Sequence, residues 1–485
     1  MMRRFCFLVT ALFWGGLSAH AAKPNVLFLF ADDMRPESLG ALGDPVVKTP
    51  NLDSLVKRGF VLTNAYNFGG NSPAVCMPSR NMVMSGKVYN RWKDYLPPGA
   101  AEARRGKMSP ADGPNFPLSM KKAGYETWHY GKKGNSANLI QGRFDHVHYL
   151  QQDHMDRAHG EPGKEIIDGA IEFISERDAQ KPFFMYLGFS NPHDARVAKQ
   201  SYRDMYPETE MRLPKNFLPV HPFDNGEMVV RDELLSPWPR TESEIRRTWQ
   251  DYYATITGLD TQIGRLLHSL KEKGLLENTV IVFSADQGIA IGSHGLLGKQ
   301  SLYDHSTKSP LVFSGPGVPT GRSSALVHLL DIYPTVCDLV GADVPTGIDG
   351  ASFKPVIEGK SKEARQDLML AYMDKQRAAR DSRYKLIRYP HVDVTQLFDL
   401  ENDPDEIKDL SQNPDQQERV KKMLSRLEIL QKKFGDSQPL VVDQPKSPKW
   451  NIPSAEEMKE IYPRWKMSET KEHRAGGPPP FPVKK

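Results

Sequence analysis

Four short apolar runs in this chain each break off into polar residues of an unusual kind. Residues 25–30 run into Ala31-Asp32-Asp33, 127–130 into Gly131-Lys132, 182–189 into Asn191-Pro192-His193, and 278–283 into Ala285-Asp286-Gln287-Gly288. Continuous runs of this type, rich in aromatic and β-branched residues, fit strands buried on both faces of a parallel sheet. Helical spacing lies between them, at 51–58 (with Leu52, Leu55 and Val56 on one face), 165–176 and 244–273. Strand and helix alternate, so the pattern predicts an α/β layered fold. In open α/β sheets, sites gather outside the carboxyl ends of the strands. Four predicted strands each deliver a charged or hydrogen-bonding residue at that end.

The chain of 485 residues is long enough for two structural units. With 64 basic and 60 acidic residues its formal charge of +4 is too balanced for a nucleic-acid binder. The N-terminus carries Arg3 and Arg4, an apolar stretch over 5–17 and then Ala19-His20-Ala21. That is the layout of a secretory signal peptide over 1–22, so an exported protein, periplasmic or secreted, is expected. The stretch is short for a membrane span, which needs ~20 residues, and no later segment is long and apolar enough to be one. The mature chain then keeps Cys76 and Cys337, which export could join as a disulfide. Cys337 falls in a helix start and reads as a buried thiol.

Composition shifts near residue 360. Strands are expected at 367–372, 384–389 and 396–400, a turn at Asp403-Pro404-Asp405 and an amphipathic helix over 416–433. The expected division is a main domain over 23–360, a smaller α+β subdomain with an antiparallel sheet over 361–435, and a Pro/Lys-rich tail over 436–485.

Two adjacent carboxylates such as Asp32 and Asp33 repel unless a positive charge lies between them. Asp286-Gln287 repeats the theme at a second strand end, and all these oxygens suit a hard cation, Ca²⁺ or Mg²⁺, rather than zinc or copper. In Cys76-Met77-Pro78-Ser79-Arg80, Pro78 is expected as the first residue of a helix. Cys76 then stands just outside a helix N-terminus, where backbone N–H groups favour anions, with Arg80 one turn on. From the residues alone this is an anion site beside a reactive side chain. Taken singly, surface acids, solvated lysines and a structural histidine would explain each member of the set.

The Cys76-x-Pro78-Ser79-Arg80 motif resembles the signature of type I sulfatases, in the alkaline phosphatase superfamily. Its context agrees. Residues 23–33 resemble the family's first strand and metal pair, and 49–55 with 59–66 the helix and strand after it. Gly131-Lys132, Asn191-Pro192-His193, Asp286-Gln287-Gly288, His294-Gly295-Leu296 and Gly298-Lys299 follow in the family's order. Leu397-Phe398-Asp399-Leu400 resembles the start of its closing segment, so the likeness spans about 23–435.

The resemblance implies an alkaline-phosphatase-like α/β fold, a large mixed, mostly parallel sheet flanked by helices. It implies a sulfuric ester hydrolase in which Cys76 is oxidised to formylglycine by a generating or maturase enzyme acting on the unfolded chain. One Ca²⁺ would be held by Asp32, Asp33, Asp286, Gln287 and the modified residue 76. Hydration of the aldehyde supplies two hydroxyls, one to attack sulfur and one to help expel sulfate, whereas a thiolate suits softer metals. By the same resemblance Lys132 and Lys299 bind sulfate oxygens, and Arg80 holds the nucleophile or its neighbours. His193 protonates the departing alcohol or contacts sulfate, and His294 belongs to the substrate-binding set. The expected partner is a sulfated carbohydrate, with no nucleic acid and no membrane span. Loop residues Asp194, Arg196, His221 and Trp249 are candidate sugar contacts.

Two departures stand out. Many relatives carry a histidine two or three residues after the lysine at Lys132, where this chain has Gly134 and Asn135, so His294, His305 or a water is left to take its place. Gln287 stands where Asn or His is common. Two readings compete: a phosphodiesterase or phosphonate monoester hydrolase of the same superfamily, and an inactive protein that only binds sulfated glycans.

Overall fold

The computed structural model describes residues 23–92, 109–150, 160–178, 180–454 and 456–457. The signal-like segment 1–22 and the end of the tail lie outside them. Two sheets organise the chain. The larger has nine strands: β1 (Asn25–Asp32), β2 (Phe60–Tyr66), β4 (Glu126–Gly131), β5 (His146–Tyr149), β6 (Phe183–Pro192), β7 (Thr279–Ala285), β8 (Lys308–Ser309), β9 (Leu311–Ser314) and β10 (Gly321–His328). Their order is β10-β2-β9-β7-β1-β6-β4-β5, with β8 alongside β2. Strand β1 lies parallel between β6 and β7, and β4 is parallel to both β5 and β6. Strand β9 runs antiparallel to β2 and β7, which makes the sheet mixed.

All eight residues of β1 are buried. Leu27, Leu29 and Ala31 enter one apolar layer, with side chains from the helices Pro50–Arg58, Lys164–Glu176 and Glu242–Glu272. Val26, Phe28 and Phe30 enter the other, with the helices Cys76–Ser85 and Ile332–Leu339. Period-two alternation with apolar residues on both faces is the reason the run reads as unbroken. At roughly 1.5–3 kcal/mol for each large apolar side chain buried, these layers fix the strand register. The 31-residue helix Glu242–Glu272 starts in a capping box, Thr241 with Glu244, which satisfies two N-terminal N–H groups. It then delivers Tyr252 to the backbone just past β1.

The smaller sheet runs β14 (Val394–Asp399), β13 (Tyr384–Tyr389), β12 (Gln376–Arg380), β11 (Leu368–Tyr372) and β3 (Gly69–Gly70). It is antiparallel except where β3 joins β11. Strand β3 comes from the segment just before Cys76, so the second sheet is anchored beside the first sheet's loops. The helix Gln417–Phe434 packs against it and ends at Gly435, whose φ of 68° is left-handed.

Residues 436–454 of the tail make contacts with this sheet and its surroundings. Asp436 pairs with Arg377, the Lys446 N–H donates to the His391 carbonyl at 2.7 Å, and Trp450 meets Trp238 edge-on. Cys76 and Cys337 are both buried and unbonded, so the disulfide alternative is absent. The helix after Val75 starts at Cys76, two residues before Pro78. Proline is tolerated throughout a first turn because the N–H it lacks would have no intrahelical acceptor.

Candidate active site

The site lies where β1, β4, β6 and β7 end. Asp32 is the last residue of β1. Asp33 follows it in a left-handed conformation, φ 63°, which turns its side chain back under the strand ends. Three contacts hold that turn. The Asp33 N–H donates to Asp286 Oδ1 at 3.1 Å, Tyr252 Oη donates to the Asp33 carbonyl at 2.9 Å, and the Arg35 N–H donates to Tyr252 Oη at 2.9 Å. Asp286 and Gln287 follow β7 directly.

Helix Cys76–Ser85 points its first turn at these carboxylates. Cys76 Sγ is 3.0 Å from Asp32 Oδ1, 3.0 Å from Gln287 Nε2 and 3.2 Å from Lys299 Nζ. Ser79 Oγ donates to the Asp286 carbonyl at 2.6 Å. Arg80 is fully buried: its Nε donates to Asp286 Oδ2 at 2.9 Å, and its other nitrogens reach the carbonyls of Ala31 and Phe189 and the hydroxyl of Tyr186. The guanidinium fits because two glycines meet across β4 and β6. A Cβ on Gly188 would stand 3.1 Å from Arg80 Nη1, and one on Gly131 would stand 2.5 Å from the Gly188 carbonyl oxygen. Lys132, just after β4, pairs with Asp32, and Lys299 bridges both oxygens of Asp33 at 2.8 Å. His193 Nε2 lies 3.6 Å from Asp33 Oδ2.

One ligand atom from each of Asp32, Asp33, Cys76 and Asp286 lies within 4.8 Å of all the others. Burial, with Asp32 and Asp286 adding to it, pushes Asp33 up to about 7 against the pull of Lys299. Burial and Asp32 likewise push Asp286 up to about 6, against Arg80 and Lys132. Burial would also raise Asp32, but Lys132, Arg80, His193 and Lys299 together hold it well below the usual carboxylate range. Burial first, and then the mutual repulsion of the carboxylates, disfavours the charge on Asp33 and Asp286, so a cation among them would favour their ionised forms. Gln287 Oε1 is buried with no hydrogen-bond partner among the described residues. Crowded carboxylates and a free amide oxygen fit Ca²⁺ or Mg²⁺. Burial and Asp32 push the Cys76 thiol well up, so it is no thiolate. His193 is lowered to about 3, by burial first and then by Lys299.

A cavity of about 430 Å³ opens above this floor, lined by Cys76, Lys132, Asn135, His193, Lys299 and Gln300 among others. Of the residues expected from the sequence, Asp32, Asp33, Cys76, Arg80, Lys132, His193, Asp286, Gln287 and Lys299 converge here. His294 does not line the cavity. Its ring stacks on Tyr303 with centroids 4.0 Å apart, and its Nε2 contacts the Glu406 carbonyl. His305 stacks on the same tyrosine, so neither ring stands where the missing histidine would. Asn135 lines the cavity with φ 49°. Asp194 also lines it, whereas Trp249 is in the core, Arg196 is buried over the Tyr252 ring, and His221 is bonded to the His294 carbonyl. The sequence reading missed Arg231, Asp232 and Gln300. The first two come from a long connection between β6 and the helix Glu242–Glu272, and its length, unusual for a plain loop, was the one signal available.

Comparison with known proteins bears on this geometry. The family description "Sulfatase" matches residues 24–342, and "N-sulphoglucosamine sulphohydrolase, C-terminal" matches 292–433. An N-acetylglucosamine-6-O-sulfatase of Bacteroides thetaiotaomicron is 27% identical over 505 residues, covering 86% of this chain and 88% of its own. An arylsulfatase of Clostridium perfringens is 25% identical over 497 residues, covering 88% and 98%. A solved structure of a protein in complex with its substrate D-glucosamine-2-N,6-O-disulfate superposes with a TM-score of 0.71 at 24% identity. It covers 86% of this chain and 99% of that one, a likeness of fold. The chain belongs to the type I sulfatase family of the alkaline-phosphatase-like fold and is a sulfuric ester hydrolase.

Proposed function

We propose that the chain hydrolyses the sulfate ester of a sulfated carbohydrate outside the cytoplasm, with a formylglycine made from Cys76 and one Ca²⁺. One observation carries the reading: the residue 76 side chain shares a buried pocket with three carboxylates and an unpartnered amide oxygen, beneath two lysines. A buried thiol pushed well up is a poor nucleophile and a poor ligand for a hard cation, which favours an oxygen function at that position.

In this reading Asp32, Asp33, Asp286 and Gln287 hold the cation. When bound, it would draw charge from the sulfate oxygens and lower the pKa of the attacking hydroxyl. Arg80 fixes Asp286, and through it the floor of the site. Lys132 and Lys299 bind sulfate oxygens as point charges. His193 is neutral before substrate arrives, and a sulfate close by favours its protonated form, so that Nε2 can hand a proton to the departing alcohol oxygen. Export is supported by the arrangement of residues 1–22. No helix among the described residues is long and apolar enough to cross a membrane.

The test is mass spectrometry of the peptide containing residue 76 from the native host, where a loss of about 18 Da relative to cysteine marks the aldehyde. It is paired with turnover of sulfated sugars and an aryl sulfate against the phosphate analogues. Free thiol alone would sink the mechanism. Faster turnover of the phosphate or phosphonate would favour the competing hydrolase, and binding without turnover the glycan-binding reading.

A further inference from the structure

Lys299 reaches the floor of the site from the far end of a tightly folded loop. After β7 the chain doubles back, with the Ala290 N–H donating to the Gly298 carbonyl at 2.8 Å and the Gly292 N–H to the Leu296 carbonyl at 2.7 Å. Within this bend Ile291 and His294 take left-handed backbone angles, φ 45° and 54°. Such angles are costly for a residue with a Cβ, most of all a β-branched one, and persist only where the surroundings hold them. The holding contacts come from the long connection between β6 and the helix Glu242–Glu272. The His294 N–H donates to the Asn216 carbonyl at 2.8 Å, and His221 Nδ1 lies 2.8 Å from the His294 carbonyl. Just before Lys299 the contact is made by Glu233. Its Oε1 accepts the Gly298 N–H at 2.8 Å, and both its oxygens lie 3.0 Å from the Leu297 nitrogen. Arg240 Nη2 donates to its Oε2 at 2.8 Å. Both residues are buried, and all these donors are N–H groups, which suits an ionised carboxylate although burial raises its pKa. Gly298 permits the close approach, since a Cβ there would stand 2.8 Å from Asp232 Cβ and 2.3 Å from Gln300 Oε1. Just after Lys299, Gln300 Oε1 accepts the Lys299 N–H at 2.9 Å, while its Nε2 donates to Asp232 Oδ2 and the Pro73 carbonyl, both at 2.8 Å.

We infer that Glu233 is a positioning residue for the hydrolysis, setting Lys299 against the sulfate through the backbone at 297–298. The inference rests on the reading of Lys299 as a sulfate-binding group and adds the group that aims it. A lysine is a point charge on a flexible four-carbon stem, so where its Nζ falls depends on where its backbone is fixed. Here the backbone is held on both sides, and Nζ comes down 2.8 Å from both Asp33 oxygens and 3.2 Å from Cys76 Sγ. Glu233 does not line the cavity, so it reaches the substrate only through its neighbours. A shift of ~1 Å at a group that positions the reacting centre costs about 10²-fold in rate. Glu233→Gln keeps the shape of the side chain, but its NH₂ must face either Arg240 or the loop N–H groups, donor against donor.

The test is a double-mutant cycle on the full chain, in calcium-containing buffer, with the sulfate ester turned over fastest in the panel above. Glu233→Gln should lower kcat/KM by about tenfold or more. In a Lys299→Met background the same substitution should change it by no more than about twofold, because the group it aims is gone. Amide exchange read by mass spectrometry should quicken by about tenfold or more in peptides covering 296–300, with the β1 peptide unchanged. If Lys299→Met turns over too slowly to measure, the cycle is read in binding of the same ester to the Cys76→Ala chain by calorimetry. Glu233→Asp, which keeps the charge beside Arg240 but falls one methylene short of the loop, replaces Glu233→Gln if that variant does not fold. An unchanged kcat/KM, or an equal loss in both backgrounds, overturns the inference, the second result marking Glu233 as merely structural. Parental activity in Lys299→Met instead strikes the sulfate-binding reading of Lys299, and the inference falls with it.

Discussion

Arg80 has no exposed surface, yet it carries a full charge at the bottom of the site. Such a group is tolerable only because Asp286 and Asp32 face it and backbone carbonyls use its remaining N–H groups. Arg80→Met keeps much of the volume and removes the charge. We expect calcium-free protein carrying it to lose roughly 3–5 kcal/mol of stability in urea unfolding, because buried Asp286 loses its paired cation and Asp32 is left with Lys132 alone. The kcat/KM should fall with it, and a variant as stable as the parent would show that the pairing does not hold the floor together. Arg80 was legible in the sequence through its spacing from Cys76. Arg231 was not, because nothing in a long irregular loop says which of its charges turns inward. His294 was drawn into the candidate set by its position in the family order, but its ring is taken up by Tyr303.

At the scale of elements, the sequence announced β1, β4, β6 and β7 through unbroken apolar runs, which match to within three residues at either end, and β11, β13 and β14 of the smaller sheet, which match to within two. Strand β12 went unread because Gln376-Arg377-Ala378-Ala379-Arg380 looks like surface, yet all five residues are buried. Its arginines are carried inside by partners distant in sequence, Asp436 for Arg377 and the Tyr66 ring for Arg380. Tertiary pairing of that kind leaves no local periodicity to detect. The seam between β4 and β6 offers a pH test. His129 on β4 stacks on Tyr186 of β6, with its Nδ1 at 3.0 Å from that residue's carbonyl, and burial lowers it to about 3. Between its unfolded value near 6.5 and about 3, the unfolded chain binds a proton that the native ring does not, so stability falls as pH falls through that window. His129→Phe removes the contribution. Its stability relative to the parent should improve by about 1.4 kcal/mol per pH unit from about pH 6.5 downward, read by urea unfolding at two pH values. A difference that stays constant with pH would mean the buried ring takes up its proton normally.

For the whole molecule, the proposed cation site would join segments far apart in the chain, residues 32–33, 76–80 and 286–287, so that ion binding and global stability would be linked. Calcium at about a hundred times its dissociation constant should add about 2.7 kcal/mol. Chelation should therefore lower the unfolding midpoint by several degrees, with recovery on adding calcium back, as followed by calorimetry. No shift on chelation would argue that the carboxylates share no ion. The burial of Cys76 has a consequence in time as well as in space. With 1% of its surface exposed and its backbone wound into the first turn of a helix, this residue can meet a small ester through the cavity but cannot be seized as an extended strand by another protein. On the proposed mechanism its oxidation must come before the chain closes. A molecule that folds without it is finished and inert, and supplying the modifying enzyme afterwards will not rescue it unless the chain is first unfolded.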